Sequence, residues 1–280
     1  MNASNPLDNF PLVRSRDIEE VCDAIGRIYA RPALSPARKV VAVDASVNNC
    51  RLRYVALAYS SYGAPLSLQY PETGLFVQLF PVRGAGEVVQ GGISATLGPG
   101  AGTVISSNAA YTMSYSAEYA HLVLRLDGAA LTTKLAAMTG IAINEPIRTH
   151  AEQDFRHPAA CMLQQYVPLL IETLGAANPP YPDWWILQTE QLLMALFLCG
   201  HRHNYSHLFE NEAPAAGLQQ VRWAEEYIEA NAQRGIGLGE LAAVTGVSEF
   251  SLYRSFKYSR GYSPLEFAAR QRAKRESQEC

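Results

Sequence analysis

The sequence is poor in the features that mark a secreted, metal-bound or membrane-spanning chain. Its 280 residues hold five cysteines, Cys22, Cys50, Cys161, Cys199 and Cys280, with no Cys-x-x-Cys pair. An odd count at wide spacing fits reduced thiols and argues against a disulfide frame or a zinc site. The longest apolar run, Leu192 to Cys199, falls far short of the ~20 residues that span a bilayer. The opening residues, MNASNPLD, lack the basic flank and apolar stretch of a signal peptide, so a cytoplasmic protein without a membrane segment is expected. Histidine is scarce: of six, one, His121, falls in the segment that reads as β. His201, His203 and His207 lie close enough to invite a metal reading. With Asn204 and Tyr205, however, they fit a helix end, where histidine suits the dipole. No Gly-x-Ser-x-Gly elbow, phosphate-binding glycine loop or dinucleotide fingerprint is present. The sequence therefore assigns no catalytic residue, no metal site and no cofactor.

What is present suggests two domains. The chain is 48% hydrophobic and 18% charged, and its length fits two cores. Charge is uneven: from residue 250 onward seven Lys/Arg face three Glu, net +4, leaving −7 on residues 1–249. A basic end on an acidic body fits an attached nucleic-acid reader, and equally a solvated charged helix.

A short helix is expected over Asp17 to Tyr29. Residues 40–126 then read as β, in short runs rich in Val, Leu, Tyr and Phe punctuated by Gly and Pro. The runs are Val40–Val43, Arg53–Tyr59, Leu66–Tyr70, Leu75–Val82, Glu87–Gln90, Ile93–Leu97, Thr103–Ser106, Tyr111–Tyr115 and Tyr119–Leu126. Gly91-Gly92 is a two-residue hairpin signal, and so many short strands suggest a sandwich or barrel. Helical patterns follow at Ala130–Met138, Pro158–Leu174 with Pro168 inside, and Asp183–His203. The expected fold class is α+β: residues 1–126 a β-barrel with an N-terminal helix, 127–209 a helical, dimerising region, 210–217 a linker, and 218–280 all-α.

Residues 236–270 are the most informative. Leu238, Leu241 and Ala242 have helical spacing. Gly246 suits a left-handed helix end, and Ser248 suits the cap of the next helix. On that second helix Leu252 and Phe256 share one side. Phe250, Arg254 and Lys257 fall on the other, flanked by Ser251 and Tyr253. Arg can pair with guanine O6 and N7, and an aromatic ring can touch a thymine methyl.

Leu238-x-x-Leu241-Ala242, Gly246-Val247-Ser248, Leu252-x-Arg254-x-Phe256-Lys257 and Gly261-x-Ser263-Pro264-x-x-Phe267 together resemble the first helix-turn-helix of the AraC/XylS family of transcription regulators. Arg222 to Asn231 resembles that domain's opening helix. His203-Asn204-Tyr205-Ser206 resembles the subgroup with a cupin-like sensor, as do Gly84-x-Gly86, Gly91-Gly92 and Leu97-Gly98-Pro99-Gly100. The resemblance implies an effector-responsive regulator that dimerises and binds double-stranded DNA. The implied DNA-binding residues are Phe250, Ser251, Tyr253, Arg254 and Lys257, with Arg270 and Arg272 on the next helix. Family members carry two helix-turn-helix units, and this sequence shows the first and the start of the joining helix. The alternative readings are a sensor or dimerisation protein without autonomous DNA binding, and a cupin-type enzyme.

For the effector, two faces of the β region are candidates. Phe76, Gln78 and Phe80 alternate with Leu75, Val77 and Leu79; His121 and Arg125 alternate with Leu122, Leu124 and Leu126. If the polar-aromatic faces point inward, Arg125 can pair with a carboxylate and the rings can stack on an aromatic acid. The expected arrangement is the opposite one, leucines inside and Arg125 in water.

Overall fold

The computed structural model describes residues 5–35, 42–107, 109–139, 142–150, 153–176, 181–210, 215–247 and 249–276, without the side chains of residues 210, 215, 216, 250 and 276. The chain forms two compact units, Met1–Lys134 with Pro146–Ser206, and Leu135–Glu145 with His207–Cys280.

Among the described residues the first unit has eleven strands: β1 (Pro11–Ser15), β2 (Ala33–Leu34), β3 (Ala45–Arg51), β4 (Val55–Ser61), β5 (Leu66–Tyr70), β6 (Leu75–Arg83), β7 (Gly86–Gln90), β8 (Ile93–Leu97), β9 (Thr103–Ile105), β10 (Tyr111–Tyr115) and β11 (Ala120–Asp127). They form two antiparallel sheets, ordered β1-β3-β4-β11-β6-β9 and β2-β5-β10-β7-β8. Leu66, Leu68, Val77, Leu79, Met113 and Val123, drawn from both sheets, form one buried cluster. Gly91 and Gly92, both at positive φ (58° and 80°), close the β7–β8 hairpin, as the primed turn of a two-residue loop requires. Helix α1 (Ile18–Gly26) starts at Asp17, whose carboxylate accepts the Glu19 N–H at 2.9 Å, and buries Ile18, Val21, Cys22 and Ile25. Strands β1, β2 and β3 were not expected from the sequence. Of the expected strand Val40–Val43, residues 40 and 41 lie outside the described residues, and Ala42 and Val43 are not in a strand.

Helices α2 (Gly128–Thr139), α3 (Pro158–Ala176) and α4 (Asp183–Gly200) follow. Helix α4 lies on the six-stranded sheet: Phe197 meets Phe76 edge-on at 5.8 Å, and the buried Glu190 carboxylate accepts the Tyr54 and Val55 N–H groups at 2.5 and 2.9 Å. Leu193, Met194, Leu196, Phe197 and Leu198 are buried, so most of the longest apolar run is covered by its own chain.

In the second unit, α5 (His207–Glu210) precedes α6 (Ala215–Ala230), α7 (Leu238–Thr245), α8 (Glu249–Arg260) and α9 (Pro264–Glu276). Val221, Ala224, Ile228, Leu241, Leu252 and Phe256 form its core. Gly246 ends α7 in the left-handed conformation, φ 69°. The cap expected of Ser248 and linker residues 211–214 lie outside the described residues. Gly239 sits in the first turn of α7, and Gly237 holds the N-cap without a side-chain bond. Helix α9 opens with a reciprocal capping box: Ser263 Oγ accepts the Glu266 N–H at 3.2 Å and Glu266 Oε2 accepts the Ser263 N–H at 2.6 Å. Pro264 follows at the position where proline needs no N–H partner. None of the described helices is long and apolar enough to cross a membrane.

Candidate functional site

Register decides which side chains enter the barrel. On β11 and β6, Arg125 stands opposite Val77 and Val123 opposite Leu79, while Leu122, Leu124 and Leu126 stand opposite Phe80, Gln78 and Phe76. Directly opposed residues share a face. Val77, Leu79, Val123, His121 and Arg125 line the interior. The expectation that the leucines face inward and Arg125 faces water is therefore corrected on β11, where Leu122, Leu124 and Leu126 are on the helix side and Arg125 is half-buried on the inner wall; on β6 Leu79 does face inward.

The same register separates the five residues considered for the effector. His121 and Arg125 are inside. Phe76, Gln78 and Phe80 are not: Phe76 packs on Phe197, Gln78 Oε1 accepts from His201 Nε2 at 2.9 Å, and Phe80 lies beside Leu122, Pro168 and Ile171. They sit beneath α3 and α4 because β6 has buried surfaces on both sides.

The interior is polar and aromatic. Tyr62, Tyr70 and Tyr115 are joined through their hydroxyls, at 3.4 Å and 3.1 Å. Tyr70 stacks on Tyr111 at 4.8 Å. His121 stacks against Tyr115 at 5.9 Å. Burial, with a smaller contribution from Arg125, lowers the His121 pKa to about 3, so it is a neutral imidazole. Burial also raises Tyr62, Tyr70 and Tyr115, and takes Tyr111 to about 12, so these phenols remain neutral hydrogen-bonding groups. At the open end the Arg125 guanidinium lies 4.2 Å from the Tyr29 ring centroid, and the Tyr29 hydroxyl donates to Asn49 Oδ1 at 2.6 Å. The enclosed space is about 20 Å³, whereas outside Arg125 a vestibule of about 410 Å³ opens beside Ile28, Val55, Ala56 and Leu75.

His201 and His203, near the end of α4, are occupied structurally. His203 Nε2 donates to the Leu198 carbonyl at 3.0 Å and its Nδ1 accepts the Tyr205 N–H at 3.2 Å. Among the described residues no three His, Cys, Asp or Glu side chains are grouped to hold a metal ion.

In the second unit, α8 turns Leu252 and Phe256 into the core and leaves Tyr253, Arg254 and Lys257 exposed. Ser251 is half-buried, and the Phe250 side chain lies outside the described residues. Lys257 Nζ reaches Glu266 at 3.2 Å. The α9 arginines are tied to their own fold: Arg270 lies over Tyr262 at 5.0 Å, and Arg272 donates to the Arg234 carbonyl at 3.3 Å.

Residues 21–199 match the family described as the AraC-binding-like domain. The chain belongs to that family. It is similar to the probable thc operon regulatory protein of Rhodococcus erythropolis, 30% identical over 146 residues, which are 51% of this chain and 43% of that protein. The chain thus spans less than half the length of this curated relative. Among solved structures it is similar to the AraC-like transcriptional activator CuxR, at 14% identity, 88% of this chain, 86% of that chain and a TM-score of 0.43. It is also similar to the cupin domain of Schizosaccharomyces pombe Cnp3, at 8% identity, 32% of this chain, 66% of that chain and a TM-score of 0.29.

Within the AraC-binding-like domain, sequence reasoning missed the tyrosines. Tyr111 and Tyr115 share a face by strand alternation, which was a usable signal. Tyr29 has none, because it follows α1 and reaches Arg125 through the fold alone.

Proposed function

We propose that the chain is an effector-responsive transcription regulator of the cytoplasm. It binds a small organic effector in the barrel, pairs with a second copy, and reads double-stranded DNA in the major groove through α8. The observation that carries this reading is the AraC-binding-like match across residues 21–199. The relative's name as a regulatory protein and the common core of helices α6–α9 support it. Arg254 is the principal base-reading residue, with Tyr253 and Phe250 beside it and Ser251 and Lys257 on or near the backbone. No catalytic residue is assigned, and the reading is of a binding protein rather than an enzyme. The apolar surface for a second copy is Trp184, Leu187 and Leu192 on α4, exposed at 68%, 45% and 41%.

The test is a gel shift with the duplex upstream of the protein's own gene, against a scrambled duplex. Arg254→Ala is expected to remove about 1–3 kcal/mol of discrimination between them. Unchanged affinity and preference would take Arg254 out of the role. A second reading, a sensor without autonomous DNA binding, is favoured by one observation: Arg260, Arg270 and Arg272 are all engaged within the unit. That reading predicts no preference for any duplex.

A further inference from the structure

We propose that the barrel's ligand is an organic monoanion, bound with its acidic head on Arg125 and its apolar body in the vestibule. This deepens the sensor reading above and rests on the barrel being the effector site. Arg125 faces a wall of neutral groups: Tyr62, Tyr70, Tyr111 and Tyr115 as phenols, and His121 as an uncharged imidazole. Among the described residues no carboxylate lies within ion-pair distance of it, and the Tyr29 ring lies against it. Guanidinium drawn partly out of water without a counter-ion is unfavourable, and a charge-assisted pair with a bound carboxylate relieves it. The two acids at the vestibule do not fill that role. Asp127 accepts the Ala130 N–H at 2.8 Å and caps α2, and Glu72 stands exposed at the rim.

Size fixes the direction of binding. The enclosed space of about 20 Å³ is of the order of one water molecule, so an organic body cannot pass inside Arg125. The vestibule of about 410 Å³ is within the usual range for small-molecule sites. Its apolar wall is Ile28, Ala56 and Leu75, with Arg51 and Arg53 adding positive charge at the mouth. An acid enters head first, its anion meeting the guanidinium edge that the Tyr29 face leaves open. An aromatic or short aliphatic body then covers the apolar wall.

The experiment is thermal unfolding of the full chain at constant ionic strength with benzoate, phenylacetate and hexanoate, each beside its neutral amide. The acids are expected to raise the midpoint in a concentration-dependent way and the amides to leave it unchanged. Arg125→Gln should weaken the acid effect at least tenfold in apparent affinity, and Arg125→Lys, which keeps the charge without the planar fork, should retain part of it. Leu75→Trp, at a half-buried position on the vestibule wall, fills the vestibule and leaves Arg125 in place; it should weaken the effect as well and serves if Arg125→Gln does not fold. Equal shifts from acids and amides, no shift from any acid, or an undiminished shift in the variants would each overturn the proposal. Sequence-specific DNA binding without any acid effect would defeat this inference alone. An acid effect without DNA binding would defeat the regulator reading alone.

Discussion

Gly84 shows how one residue holds the barrel's geometry. It turns the chain between β6 and β7 at φ 69°, and a Cβ there would lie 2.6 Å from the backbone N and Cα of Tyr119. Both the left-handed backbone and the close approach demand glycine. Gly84→Ala is expected to destabilise the protein by about 1–3 kcal/mol, read as a lower urea midpoint at unchanged slope. A change within about 0.5 kcal/mol, as at an ordinary surface site, would contradict this account. Asn48 and Asn49 make a related point. They sit on β3, where Asn48 is fully buried with its amide donating to the Pro6 carbonyl at 2.6 Å, and Asn49 accepts from Tyr29. Their polarity hid β3 in the sequence, since alternation of apolar residues is the strand signal. Only tertiary hydrogen bonds make two asparagines acceptable there.

At the scale of elements, the segments with strong local signals were legible. Ile93–Leu97, Leu66–Tyr70 and Tyr111–Tyr115 coincide with their expected strands, because each has turn residues on both sides. The α7–α8 pair was legible through Gly246 and the Leu252/Phe256 face. Facing was not legible. Alternation sorts a strand into two faces, but register between β6 and β11 decides which face is inside, and a slip by one residue would reverse it. This is why Arg125 was expected in water and why Phe76 stood among the candidates for the ligand.

The β6–α4 contact also has a pH signature. His201 donates to Gln78 and is flanked by Phe155 and Phe197. Burial, then His203 and His157, lowers its pKa to about 4. Unfolded, it would titrate near 6.5. Between those values the unfolded chain binds more protons, so stability is present above about pH 6.5 and falls as pH drops toward 4. The slope is up to about 1.4 kcal/mol per pH unit for this group. His121 adds to it in the same direction. The double variant His201→Phe/Gln78→Leu should show a shallower fall between those pH values. An unchanged slope in urea unfolding across that range would contradict the assignment.

For the whole molecule, we propose a barrel that holds a ligand joined to a helical unit that reads DNA. Membership in the AraC-binding-like family supports the first part, and the α8 surface supports the second. A short helix such as α8 makes few phosphate contacts, so binding through it should be weak and its salt slope shallow, and pairing of two copies would raise the effective concentration. The most direct test is fluorescence anisotropy of this chain on the duplex upstream of its own gene and on a scrambled duplex, titrated across salt concentrations. The account predicts tighter binding to the native duplex, a linear fall of log affinity with log salt, and loss of the preference in Arg254→Ala. Equal affinity for the two duplexes at every salt concentration would contradict it.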